Sequence, residues 1–193
     1  MIAPERFIET SDNRDAWLDA RRPAVTATEV AKAATPAGFL EAVADRRNPV
    51  ELEPNGYMQF GTDNEDWIAR WLKVEFGLMP NHWLIAAPTN PLHRATPDGL
   101  SLDHTITSEI KTGGTEPKSP SRMHRDQMQW QMHCTGAFFT KYAFMLRAEV
   151  NGVFVPAWLE PKIWDVPRDD ARIAELIGVA AQLLLTDQLQ EVA

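Results

Sequence analysis

Apolar and polar positions alternate along this chain in two different periods, and the switches between them predict a mixed α/β domain. Helical spacing marks Arg14–Ala20 and Thr26–Thr35, with Phe39–Ala44 a further helical piece, before a polar, proline-containing loop over Arg46–Gly56. Trp67, Ile68, Trp71, Leu72 and Phe76 then repeat at helical intervals after a polar start, which predicts a helix over Asn64–Glu75. Short β-branched runs at Trp83–Ala87, Leu92–Thr96 and Thr105–Lys111 read as strands of one sheet. Pro120–Thr135 reads as an amphipathic helix. Lys141–Glu149 and Gly152–Glu160 form a hairpin turned by Asn151-Gly152, a favoured two-residue turn. The last helix, Asp169–Gln190, carries Ile173, Leu176, Ile177, Ala180, Leu183 and Leu184 in one stripe, the pattern of core packing, with a subunit contact as the alternative.

Composition narrows this further. A length of 193 residues with 44% hydrophobic content fits one folded domain, and no repeat or low-complexity tract interrupts it. One cysteine, Cys134, excludes an internal disulfide and is expected as a small buried side chain. With no apolar run long enough to span a bilayer and no leader pattern, a cytoplasmic protein is expected. His82, His93, His104, His124 and His133 have no zinc spacing. Gly113-Gly114 reads as a bend and not as a phosphate loop. The net charge of −8 opposes simple affinity for nucleic acid. It is compatible with such affinity if acids gather around a metal and face away from DNA, while Arg21-Arg22, Arg46-Arg47, Lys111, Lys118, Arg122 and Arg125 make a small basic channel.

The candidate chemistry lies in Thr96-Pro97-Asp98-Gly99 and Glu109-Ile110-Lys111. In a strand over Thr105–Lys111, Glu109 and Lys111 share one face and Ile110 takes the other. Pro-Asp-Gly is a turn signal, and an antiparallel return through Leu100–His104 would set Asp98 beside Glu109. Two carboxylates at that separation suit one hard divalent cation. Phosphodiester hydrolysis, with its anionic electrophile and leaving group, needs such an ion and a nearby ammonium to orient water or stabilise charge. Read singly, each fragment is more simply a turn or a polar strand face.

The order and spacing of further blocks change that balance. Trp17-x-x-x-Arg21 leads to Thr26-Ala27-Thr28-Glu29-Val30; Gly61-x-x-x-Glu65 follows; then Pro97-Asp98 with Glu109-x-Lys111; then Gln127-x-Gln129-x-x-Met132-x-x-Thr135-Gly136. Over about residues 14 to 147 the chain resembles the lambda exonuclease and YqaJ-like viral recombinase branch of the PD-(D/E)XK nucleases. The resemblance implies an α/β, restriction-endonuclease-like core, a mixed central sheet flanked by helices, filling residues 1–193 as a single domain. It implies that Asp98, Glu109 and the Ile110 backbone carbonyl ligate Mg2+, with Mn2+ as a substitute, and that Lys111 positions the water. Glu65 would be the helix-borne acid of the site and a further metal ligand. Read by itself, a carboxylate near that helix's N-terminus would be an ordinary dipole charge worth about 0.3–1 kcal/mol.

The resemblance also implies a pocket for a DNA 5′-phosphate made by Arg21, Thr28, Thr96 and Gln127, an arginine fork with hydroxyl and amide donors. Thr28 reads alternatively as a helix N-cap. Threonine stands at 28 and 96 where serine is common in relatives, and His124 stands where many have tyrosine. Gln129, Trp130, Arg122 and Arg125 are further candidate DNA contacts, Trp130 reading either as core or as a base-stacking ring. The remaining tryptophans, Trp17, Trp67, Trp71, Trp83, Trp158 and Trp164, are expected in or at the edge of the core. The implied activity is a 5′ to 3′ double-strand DNA exonuclease that leaves 3′ overhangs in a phage-type recombination system. It would act on duplex ends as a homo-oligomer such as a trimer, beside a single-strand annealing protein, in the host cytoplasm if phage-encoded. The alternatives are a Cas4-like or restriction-type endonuclease of the same fold, the missing cysteines counting against iron–sulfur forms, and a catalytically inactive DNA-binding module.

Overall fold

The computed structural model describes residues 1–49 and 55–191, the last two by backbone alone, so positions 50–54 of the loop expected over Arg46–Gly56 lie outside the described residues. After a short 3-10 turn at Pro4–Arg6, the chain runs β1 (Phe7–Thr10), α1 (Arg14–Arg21), β2 (Val25–Thr26), α2 (Ala27–Ala33), α3 (Pro36–Arg47) and α4 (Gly56–Phe76). There follow β3 (Leu78–Pro80), β4 (Trp83–Ala86), β5 (His93–Ala95), β6 (Gly99–Ser101) and β7 (Ile106–Gly113). The chain ends with α5 (Arg122–Thr135), β8 (Phe139–Val150), β9 (Val153–Pro156), β10 (Lys162–Pro167) and α6 (Asp170–Glu191). This is the mixed α/β architecture expected.

Two helices start earlier than apolar periodicity indicates, because caps and not apolar residues begin them. Thr35 accepts from the Gly38 N–H at 3.1 Å and Pro36 occupies the first turn, so α3 extends on both sides of Phe39–Ala44 and takes in Arg46 and Arg47. Asn55 accepts from the N–H groups of Tyr57 and Met58, each at 3.0 Å, and starts α4 at Gly56. Glu65 is therefore in mid-helix, and the reading of it as an N-terminal dipole charge falls. Gly77, at φ 69°, closes α4 in the left-handed conformation that costs glycine least.

The strands divide into two sheets where one was expected. A smaller sheet has the order β1-β4-β5-β2; a larger one runs β10-β8-β7-β6-β3, with β9 paired to the far end of β8. The segments at Trp83–Ala86 and His93–Ala95 pair with each other in the smaller sheet, so of the three predicted strands only β7 lies in the catalytic sheet. Within it β6 returns antiparallel to β7, with Gly99 opposite Ser108, while β7 and β8 are parallel and joined through α5. Gly99 is required there, since a Cβ would collide with the Ser108 hydroxyl. The Asn151-Gly152 turn forms with φ of 53° and 78°, the positive values a two-residue hairpin needs. Its second arm stops at Pro156, and β10, which periodicity missed, pairs with the first half of β8.

One core lies under α2, α5 and α6, where Val25, Val30, Trp130, Leu176, Ala180 and Leu183 meet. The C-terminal stripe on α6 is thus core packing. A second core joins α4 to the large sheet through Ile68, Leu72, Ile110, Ala143 and Met145. Helix α5 is not amphipathic as expected: every residue from Met128 to Thr135 is buried, because helices and sheet enclose it. Its polar side chains must therefore find partners inside the protein. Trp83 also departs from expectation, lying 43% exposed with its ring edge-on to Phe7.

Candidate active site

Strand alternation sets the site. Ile110 packs into the second core while Glu109 and Lys111 project from the opposite face of β7 toward α5. Glu109 is 1% exposed, and its carboxylate is fully engaged. Oε1 accepts from the Lys111 ammonium and from Gln127 Nε2 at 2.6 Å; Oε2 accepts from Gln131 Nε2 at 2.5 Å. Gln127 and Gln131 are one helical turn apart on α5, so they reach the same carboxylate together. Gln127, expected in a phosphate pocket, thus holds Glu109. Gln131 was not singled out by sequence, although its i+4 spacing from Gln127 was visible.

Asp98 occupies the bend between β5 and β6. Its backbone N–H donates to Ser108 and its Oδ2 accepts from the Ile110 N–H at 2.5 Å, while Oδ1 has no hydrogen-bond donor among the described residues. Strand β6 begins only at Gly99, so among the described residues no strand covers this edge of β7 beyond Ser108. The N–H and C=O of one strand residue point to the same edge, which leaves the Ile110 carbonyl on the Asp98 side. Asp98, Glu109 and this carbonyl are therefore neighbours.

Electrostatics shows what the cluster lacks. Burial, reinforced by Glu109 and then Glu65, pushes the Asp98 carboxyl well above its ordinary value against the opposing pull of Lys111. The Glu65 carboxyl is raised for the same first reason, desolvation, with Lys111 opposing and Glu109 adding to it. Its side chain remains open to solvent, so only the carboxylate's inward side is crowded. Burial works against the Lys111 charge, but Glu109 and Asp98 outweigh it, and the ammonium is held firmly protonated. Three carboxylates thus share one ammonium. Glu65 stands across from the Asp98–Glu109 pair without bonding to it, and among the described residues no three His, Cys, Asp or Glu side chains close around one point. The donor set fits a hard divalent cation through the open Asp98 oxygen, Glu109, the Ile110 carbonyl and the uncompensated negative charge.

Tyr142, opposite Glu109 on β8, shares a 2.8 Å hydrogen bond with His124 Nδ1 on the site-facing side of α5. Burial pushes the tyrosine up to about 12 and the histidine down, so both stay neutral beside the charges. His124 thereby meets a tyrosine hydroxyl supplied by another strand.

Of the residues expected in the phosphate pocket, Thr28 and Thr96 follow a strand pair and Arg21 ends α1. β2 and β5 are parallel, with Thr26 beside Arg94, and Thr28 and Thr96 each follow two residues later. The Arg94 guanidinium donates to the Ala20 carbonyl, which brings the end of α1, and Arg21, to the same corner. Arg21 lies over the Trp17 ring at 4.2 Å, its pKa lowered by burial and opposed by Glu29. The Thr96 hydroxyl is buried with no hydrogen-bond partner. Thr28 is exposed, and the helix cap assigned to it belongs to Thr26, which forms a capping box with Glu29.

Two other expected contacts, Trp130 and Gln129, are buried and occupied elsewhere. Trp130 is fully buried and donates to the Arg94 carbonyl, so no base can stack on it. Gln129 points away from the site, donating to the Pro167 carbonyl and accepting from the Asp169 N–H, and is a tether between α5 and α6. Arg122 is spread between Asp126 and the Ala34 carbonyl, and Arg125 lines the same cavity of about 470 Å³ behind α5. Arg46 is clamped by Asp187 and Glu29, and Arg22 pairs with Asp19. Arg22, Arg46, Lys111 and Arg122 are thus engaged in ion pairs within the chain.

Comparison with known proteins bears on the fold. No family model matches the chain, and no curated protein does. Among solved structures, an alkaline exonuclease (LHK-Exo) from Laribacter hongkongensis matches with a TM-score of 0.70 and 28% identity over 93% of this chain and all (100%) of that one. The chain shares the nuclease fold of this exonuclease. The same enzyme in complex with dAMP matches at 26% identity and a TM-score of 0.67, over 93% of this chain and 100% of that chain. A phage-related exonuclease from Haemophilus somnus 129PT shares this exonuclease fold at 15% identity, with a TM-score of 0.67 over 88% of this chain and 96% of its own. No helix among the described residues is long and apolar enough to cross a membrane.

Proposed function

We propose that the chain is a magnesium-dependent nuclease that degrades one strand of duplex DNA from its 5′ end and leaves a 3′ overhang. The observation that carries this reading is the Asp98, Glu109 and Lys111 cluster. It is buried, short of positive charge, and open at one Asp98 oxygen beside an unpaired strand edge. Support comes from the exonucleases that share the fold at 28% and 26% identity.

Asp98, Glu109 and the Ile110 carbonyl would hold the cation, which when bound would offset phosphate charge and make its water more acidic. Gln127 and Gln131 fix the Glu109 carboxylate in one orientation, so the ligand is in place before substrate arrives. Lys111 stays protonated and therefore acts as a donor, orienting water or meeting charge that develops on the phosphate, and not as a base. Glu65, whose carboxyl is raised and faces the site, is the group suited to exchange a proton at its mouth. Arg21, Thr28 and the unpartnered Thr96 hydroxyl would take a terminal 5′-phosphate. The 3′-tailed product is the form a single-strand annealing protein would use.

Linear duplex with 5′-phosphate ends, the same duplex with 5′-hydroxyl ends, and a closed circle, each digested with magnesium, test the reading together. Rapid loss of the phosphorylated strand, slower loss with hydroxyl ends and an intact circle are expected. Cutting of the circle would move the chain to the endonucleases of this fold.

A further inference from the structure

Beside the carboxylate cluster the surface carries a second arrangement, built from aromatic rings and one cation. The Arg147 guanidinium on β8 lies 4.3 Å from the centroid of the Tyr57 ring and 4.8 Å from that of Phe154, and the two rings are 5.4 Å apart. Arg147 meets no carboxylate and donates no hydrogen bond among the described residues. Tyr57 is 59% exposed, so one ring of this stack is offered to solvent.

Its placement relative to the proposed active site follows from helix geometry. Tyr57, Gly61 and Glu65 are spaced four apart on one face of α4, and two turns put the ring about 12 Å from Glu65. The surface between them is lined by small residues. A Cβ at Gly61 would lie 3.5 Å from the Thr112 hydroxyl, and one at Gly114 would lie 3.2 Å from Arg147 Nη2. The end of β7 therefore runs alongside α4, with Thr112 against Gly61 and Gly114 next against Arg147.

Resting on the nuclease reading above, we infer that Tyr57, backed by Arg147 and Phe154, is a stacking platform for a base of single-stranded DNA lying between the active site and the rim. An exposed ring over a guanidinium suits this ligand on both counts. The ring takes a base face without regard to sequence, and the guanidinium supplies attraction for the adjoining phosphate. Packing α4 onto the β8–β9 hairpin needs Phe60 and Phe154, which are turned inward, but gives no reason for an aromatic ring whose outer face is bare.

The test uses the full chain in chelator with single-stranded oligonucleotides carrying 2-aminopurine at successive positions, followed by anisotropy and by quenching of the probe. Quenching confined to one stretch of positions is expected in the parent. Tyr57→Leu, which keeps the bulk, should abolish that quenching and weaken binding about tenfold, the size of one lost base stack, while Tyr57→Phe restores both. Equal binding and quenching in folded Tyr57→Leu protein overturns the platform, as does an equal loss of affinity for blunt duplex, which would place double-stranded DNA there. The two readings fail separately. A protein that quenches the probe but leaves duplex intact with magnesium is no nuclease, whereas digestion with Tyr57-independent binding removes the platform alone.

Discussion

Two buried carboxylates, one on α5 and one facing it from β7, have surroundings opposite in sign. Asp126, 2% exposed, lies between Arg122 at 3.0 Å and Arg172 at 2.8 Å, so more positive charge than negative surrounds it. Glu109, equally buried, is held by two neutral amides and one ammonium, and Asp98 and Glu65 add negative charge beside it. The first arrangement is complete and ties α5 to α6. The second is incomplete in the folded chain. A buried charge cluster left short of its counter-charge costs stability, and the fold keeps it where a ligand can supply what is missing.

The contrast can be broken by exchanging one residue on each side. Asp98→Asn removes like-charge repulsion and should cut DNA hydrolysis by about 10²–10⁴-fold. Its melting temperature without metal should be no lower than the parent's. The sign follows from the raised Asp98 carboxyl: the ionised form is disfavoured in the fold, stability falls as pH rises past the ordinary carboxylate range, and a neutral amide removes that cost. Asp126→Ala should do the reverse. It strands Arg122 and Arg172, costing about 2–3 kcal/mol, or roughly 4–12 °C in a thermal scan, with turnover well below the transition unchanged. A stability loss for Asp98→Asn with retained activity would erase the distinction.

A third buried polar pair sets the scale for a site with no net charge. His93 and His133 share a 3.1 Å hydrogen bond against Trp130, and burial pushes both down, His133 to about 4. Because the unfolded imidazole titrates near 6.5, His133 contributes full stability above that pH and loses it on the way down to about 4, at about 1.4 kcal/mol per pH unit, and His93 acts in the same direction. Urea midpoints measured across that window should fall with pH in the parent and flatten in His133→Gln. The smallest effect is expected at Gln131. Gln131→Met removes one donor to Glu109 together with a buried, unpartnered carbonyl oxygen, so stability should change by less than about 1 kcal/mol while kcat drops about tenfold.

How much of this the sequence carried depends on the range of the interaction. Asp98, Glu109 and Lys111 were legible because a turn signal and strand alternation act over a few residues, and β6 and β7 are joined by a short turn. The Asn151-Gly152 hairpin was legible for the same reason. What failed was pairing over distance. Nothing in Trp83–Ala87 or Leu92–Thr96 says that they leave the catalytic sheet, and nothing local to Trp130 or Gln129 says that α5 is enclosed on all sides. The start of α4 was missed because Asn55, not an apolar residue, sets it. The Glu109 clamp needed both the α5 repeat and the β7 register, and only the structure brings the two together.

The central claim is that the charge missing around Asp98 and Glu109 is supplied by a divalent cation for cutting DNA. Its most direct test is digestion of a linear duplex by the parent, Asp98→Asn and Lys111→Ala proteins, each shown folded by circular dichroism, with magnesium and then with excess chelator. Rapid digestion by the parent alone, halted by chelator, is the expected result. Digestion that survives the chelator, or that proceeds at the parental rate in either variant, would contradict the claim.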